Sequence, residues 1–128
     1  MTILVADDDA GYRYPITCLF QDFKYEVKEA SDLGGTVEAA RNADIWIIDV
    51  RLPSGKMEGI QAVKQLAEQG VLSKYPVIFI SVLPESFAES ELAALDQHKP
   101  SPISYKWIEK GFEPELLLET VRAITTNL

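Results

Sequence analysis

A three-layer α/β fold, with a parallel five-stranded sheet doubly wound between helices on both faces, is predicted by three observations. Five short apolar runs recur along the chain, at residues 3–6, 25–30, 45–49, 77–81 and 103–108. Segments of helical period separate them, and strict alternation of strand and helix implies right-handed crossovers and parallel pairing. The middle run, Ile45, Trp46, Ile47 and Ile48, is apolar without alternation, as a strand covered on both faces requires.

The elements follow in order. "ILVA" makes the first strand, and the helix after it carries Pro15, which must either sit in its first turn or kink it. The second run, 25–30, leads to "DIWIID" and the third strand. Ile60, Val63, Leu66 and Ala67 then recur at helical spacing. "VIFIS" is the fourth strand, after which Pro84 introduces a helix-forming segment, 85–97. "ISYKWI" is the fifth, and Leu117, Val121 and Ile124 mark a closing helix. No linker or repeat interrupts the series, so residues 1–128 are expected to form one domain.

Composition narrows the function. A chain of 128 residues with 47% hydrophobic content can bury a sizeable core, roughly two thirds of its unfolded surface. A net charge of −8 argues against a surface that tracks nucleic-acid phosphates. The single cysteine, Cys18, cannot form an internal disulfide, and nothing at zinc spacing surrounds the one histidine, His98. With no run of ~18 apolar residues and no basic leader, a soluble cytoplasmic protein without membrane insertion is expected.

In an open parallel sheet, ligands bind beyond the carboxyl ends of the strands. The first strand ends in Asp7, Asp8 and Asp9, the third in Asp49, the fourth in Ser81, and the fifth leads to Lys110. Each has an ordinary reading. Three aspartates can be a solvated loop or a helix N-terminus, a serine can cap a helix, and a lysine can be plain surface. Their conjunction at one sheet edge is less ordinary. Asp7 or Asp8 beside Asp49 would raise carboxylate pKa values unless a cation relieves the repulsion, and an all-oxygen donor set suits Mg²⁺. An aspartate so held can act as a nucleophile toward a phosphoryl group, with Lys110 and the Ser81 hydroxyl neutralising developing charge.

These motifs resemble the receiver domain of bacterial two-component response regulators, over nearly the whole chain. "LVADD" resembles the family's acidic pair, Asp7 and Asp8; "DVRLP" resembles the phosphoacceptor motif, with Asp49 as acceptor and Pro53 four residues on. "FIS" supplies Ser81 at the Thr/Ser switch position, and "WIEKGF" supplies Trp107 as switch aromatic and Lys110 as the lysine. The resemblance implies a flavodoxin-like fold of strand order 2-1-3-4-5. It also implies Mg²⁺ bound by Asp8, Asp49 and the Arg51 carbonyl, with Asp7 completing the acidic pair. The implied donor is a histidine kinase or histidine phosphotransfer protein. A stand-alone receiver, not an enzyme in the ordinary sense, would pass its signal to a downstream protein partner. Two positions depart from the family's pattern: Gly111 stands where proline usually follows the lysine, and Val82 where a small residue follows Ser81.

The first rival is a receiver-like interaction module that is not phosphorylated, favoured by Val82 and Gly111. A haloacid-dehalogenase-type phosphatase would need an aspartate two residues after Asp49, where Arg51 stands. An FMN protein would want a Ser/Thr/Gly-rich loop where "DDDAG" presents negative charge.

Overall fold

The computed structural model describes residues 1–51 and 57–126. Pro53 of the "DVRLP" motif lies outside the described residues. The elements are β1 (Thr2–Ala6), α1 (Ala10–Asp22), β2 (Glu26–Ala30), α2 (Leu33–Ala40), β3 (Ile45–Asp49) and α3 (Glu58–Glu68). They continue with β4 (Val77–Ser81), a 3₁₀ turn (Glu85–Ala88), α4 (Glu89–Asp96), β5 (Tyr105–Glu109) and α5 (Pro114–Thr125). The strands are parallel in the order β2-β1-β3-β4-β5, the doubly wound flavodoxin-like arrangement that the family resemblance implied.

The strand pleat sorts side chains into two cores. Leu4, Ala6, Trp46, Ile48 and Phe79 face α2, α3 and α4, meeting Ile60, Val63, Leu66, Leu92 and Leu95. Ile3, Val5, Ile45, Ile47, Ile78 and Ile80 face α1 and α5, meeting Ile16, Phe20, Leu117 and Val121. Each fully buried branched side chain contributes about 1.5–3 kcal/mol of transfer free energy, and β1, β3 and β4 carry most of them. Trp46, wholly buried, places its indole N–H on the carbonyls of Ala40 and Ala43, so its one polar group is satisfied.

Asp9 caps α1 through its carboxylate, which accepts the Gly11 N–H at 2.9 Å, and Asp32 caps α2 on Gly35 N–H at 2.7 Å. Pro15 sits beyond the first turn of α1, and its exposed ring leaves the Gly11 carbonyl without the N–H that residue 15 would donate. Two boundaries differ from expectation by more than one residue. The fifth strand begins at Tyr105 because the Ile103 N–H bonds the Leu95 carbonyl at the end of α4, leaving Ile103 outside the ladder. The segment after Pro84 opens as a 3₁₀ turn before becoming α-helical at Glu89.

Candidate functional site

The pleat that builds the cores also builds the site. Residues 3 and 5 of β1, and 45 and 47 of β3, point toward α1 and α5, so Asp7 and Asp49 continue those two rows at the carboxyl edge. Asp7 is wholly buried and Asp49 is 4% exposed, while Asp8 is exposed. One carboxylate oxygen from each of the three lies within 4.8 Å of the others.

Lys110 closes the group from β5. Its ammonium lies 2.9 Å from Asp7 Oδ2 and 3.2 Å from Asp49 Oδ2. The other oxygens take backbone donors: Asp9 N–H donates to Asp7 Oδ1 at 3.0 Å, and Arg51 N–H to Asp49 Oδ1 at 3.2 Å. Arg13 secures the loop from above, its guanidinium donating to the Asp7 carbonyl at 2.6 Å and pairing with Glu29 at 2.9 Å.

This burial has an electrostatic consequence. Desolvation, and then the charge of Asp7, push the Asp49 carboxyl up to about 7, against the opposing pull of Lys110 and the Arg51 N–H. The two carboxylates hold the Lys110 ammonium above the usual lysine range, although burial acts the other way. Burial and the neighbouring carboxylate thus favour the protonated form of Asp49 until more positive charge arrives. An ion with oxygen ligands fits this donor set, because one ammonium faces two buried carboxylates and a third stands beside them.

Ser81, at the same end of the sheet, and Trp107, at the middle of β5, lie on the opposite pleat, toward α4. Ser81 is buried, and its Oγ accepts the Leu83 N–H at 3.0 Å. Trp107 is half-buried against Phe79, ring centroids 6.2 Å apart, and its indole N–H donates to the Leu83 carbonyl at 3.1 Å. Ser81 and Trp107 thus grip the same residue, Leu83, from its two backbone ends. The Ser81 carbonyl also accepts the Lys110 N–H at 2.6 Å, tying the lysine to β4.

The structure brings Asp7, Asp8, Asp49 and Lys110 together and keeps Ser81 and Trp107 as a pair alongside. Arg51 follows with its N–H on Asp49. At the two departures, Val82 is 66% exposed, and Gly111 adopts φ +110°, a conformation closed to proline. Two further residues contribute to the site. Gly59, in the first turn of α3, packs on the Asp49 backbone. Tyr12, in the first turn of α1, lies against Lys110 and was not picked out from the sequence, because no pattern links it to that lysine.

Known proteins agree with this geometry. The family model described as response regulator receiver domain matches residues 3–122. Protein PilH of Pseudomonas aeruginosa is 26% identical over 124 residues, 95% of this chain and 95% of that one. Among solved structures, the Vibrio cholerae chemotaxis protein CheY4 is similar with a TM-score of 0.78 and 26% identity, over 96% of this chain and 97% of that chain. The receiver domain of Francisella response regulator 1452 is similar with a TM-score of 0.73 and 25% identity, over 95% and 93%. No helix among the described residues is long and apolar enough to cross a membrane. With its fold, its sheet-edge carboxylates and the match along nearly all of its length, the chain belongs to the response regulator receiver domain family.

Proposed function

We propose that this receiver accepts a phosphoryl group on Asp49 from the phosphohistidine of a histidine kinase or phosphotransfer protein, with Mg²⁺ as cofactor. The observation that carries the reading is the convergence of Asp7, Asp8 and Asp49 within 4.8 Å, with Lys110 against two of them. Asp8, Asp49 and the Arg51 carbonyl would hold the ion, with Asp7 beside it. Mg²⁺, when bound, supplies the positive charge that lets the carboxylates and the phosphoryl oxygens approach one another.

In the transfer, a carboxylate oxygen of Asp49 forms a bond to phosphorus as the donor's P–N bond breaks, and the electron pair leaves with the imidazole, which takes a proton from solvent. Lys110 stands where an ammonium can neutralise charge on the phosphoryl oxygens. A rotation that carries Ser81 Oγ toward the new group would give up the Leu83 N–H, and Trp107, bonded to the Leu83 carbonyl, would register that change. The phosphorylated chain would act in the cytoplasm through contacts with a downstream protein, as a signalling module and not through turnover of a small substrate.

Intact mass tests the reading. Acetyl phosphate or phosphoramidate with Mg²⁺ should add one phosphoryl mass, and Asp49→Asn should abolish it. A gain that persists in Asp49→Asn removes Asp49 as acceptor. No gain in the parent protein favours the interaction module that is not phosphorylated, the reading that Val82 and Gly111 favour.

A further inference from the structure

Lys110 has a third neighbour besides its two carboxylates. Its Nζ lies 4.4 Å from the centroid of the Tyr12 ring, within cation–π range. The same tyrosine accepts the Gly111 N–H on its hydroxyl, at a long 3.4 Å. Phe112 meets the Tyr12 ring edge-on, centroids 5.9 Å apart at 87°, and is itself half-buried against the α1/α5 core. Tyr12 therefore touches three consecutive residues of the loop after β5. It can do so because the Asp9 cap fixes the first turn of α1, where the Tyr12 N–H bonds the Asp9 carbonyl at 3.0 Å.

The loop needs such a restraint. Gly111 adds backbone freedom next to the lysine, and its φ of +110° lies where side chains are disfavoured. A four-carbon lysine stem has many rotamers open to it unless neighbouring groups limit them.

We propose that Tyr12 is a positioning residue for Lys110, its ring forming one wall of the ammonium's seat. The proposal rests on the reading of Lys110 as the group that neutralises phosphoryl charge. Tyr12 does not touch the phosphoryl group. It limits the directions in which the ammonium can leave Asp7 and Asp49, so that when charge arrives on Asp49 the lysine is already oriented.

Two measurements on the full chain test this. In the NMR spectrum, the Lys110 ε-methylene protons should be shifted upfield by the Tyr12 ring, keep that shift in Tyr12→Phe, and lose it in Tyr12→Leu. With acetyl phosphate and Mg²⁺, followed by intact mass, Tyr12→Leu should slow phosphorylation about three- to tenfold, while Tyr12→Phe stays within about twofold. In a Lys110→Met background, Tyr12→Leu should have no further effect, whereas a merely structural role would slow both backgrounds alike. Mg²⁺ affinity should be unchanged in Tyr12→Leu. If that variant folds poorly, Tyr12→Met gives the same comparison. An unshifted ε-methylene in the parent protein, or equal slowing in the Lys110→Met background, overturns the proposal. If the parent takes no phosphoryl group at all, the phosphoacceptor reading falls, while the ring-current shift still decides whether Tyr12 holds the ammonium.

Discussion

Gly59 lies so close to Asp49 that a Cβ on it would stand 2.1 Å from the Asp49 carbonyl oxygen and 2.9 Å from Ile48 Cγ2. The obstacle at 2.1 Å is backbone, which cannot swing aside as a side chain can. The Gly59 N–H also bonds the Val50 carbonyl at 2.9 Å, so α3 starts in direct contact with the chain just past the acceptor.

Gly59→Ala should therefore move α3 away from β3, lowering the unfolding free energy by about 1–3 kcal/mol. It should also slow phosphorylation of Asp49 more than its stability loss explains. Chemical denaturation and the mass assay on the same protein check the pair of effects; wild-type values for both would mean that the contact relaxes freely.

The raised Asp49 carboxyl predicts a pH dependence for the metal-free protein. Folding lifts its pKa from 3.8 to about 7, so between roughly pH 4 and 7 the folded state keeps a proton that the unfolded state has lost. Stability contributed by that proton is full below pH 4 and is lost as pH rises through 7. Asp49→Asn should flatten this slope and exceed the parent at pH 8 by roughly 1–3 kcal/mol. Equal stability of the two proteins at pH 8 without metal would contradict it.

Mg²⁺ should raise the thermal midpoint by binding the folded state selectively. Asp8→Ala should remove most of that gain. Asp9→Ala should keep the gain but start from a less stable protein, by about 1 kcal/mol, because Asp9 is committed to the Gly11 N–H as helix cap. If Asp9→Ala loses the metal response and Asp8→Ala does not, the acidic pair is Asp7 and Asp9.

Trp107 should report on Ser81 through Leu83. In a Trp46→Phe protein, beryllofluoride with Mg²⁺ should shift the emission maximum of the remaining indole, and Ser81→Ala should abolish the shift. The reason is the shared residue: Ser81 Oγ holds its N–H and Trp107 holds its carbonyl. A fixed spectrum despite demonstrated beryllofluoride binding would show that the hydrogen bond to Leu83 keeps the indole in place.

The parts of this site legible in the sequence are those attached to strand ends. The run of apolar residues before Asp49 fixes where β3 stops, and the same holds for "ILVA" before Asp7, so both carboxylates could be assigned to one edge from pattern alone. The strand order that makes β1 and β3 neighbours came from the family resemblance. What pattern could not supply was contact between distant segments. Tyr12 and Lys110 are ninety-eight positions apart, and no periodicity links an aromatic in one helix to a lysine beyond the last strand. Asp9 looked like its two neighbours because all three are aspartates able to cap a helix, and which one does so depends on where the backbone enters α1. The late start of β5 depends on Ile103 bonding α4, a tertiary choice made against its apolar, β-branched character.

Because side chains alternate along a strand, the alignment of Asp7 with Asp49 also restricts which length changes the gene can accept. One residue inserted between Ile45 and Asp49, or between Ile3 and Asp7, would turn the carboxylate toward α4 and bring an apolar side chain into its place. Two residues would restore the face but carry the acid beyond its partner's reach, at about 3.3 Å per residue. Viable insertions and deletions in this protein and its descendants should therefore collect in the connections between elements, leaving the spacing within β1 and β3 intact.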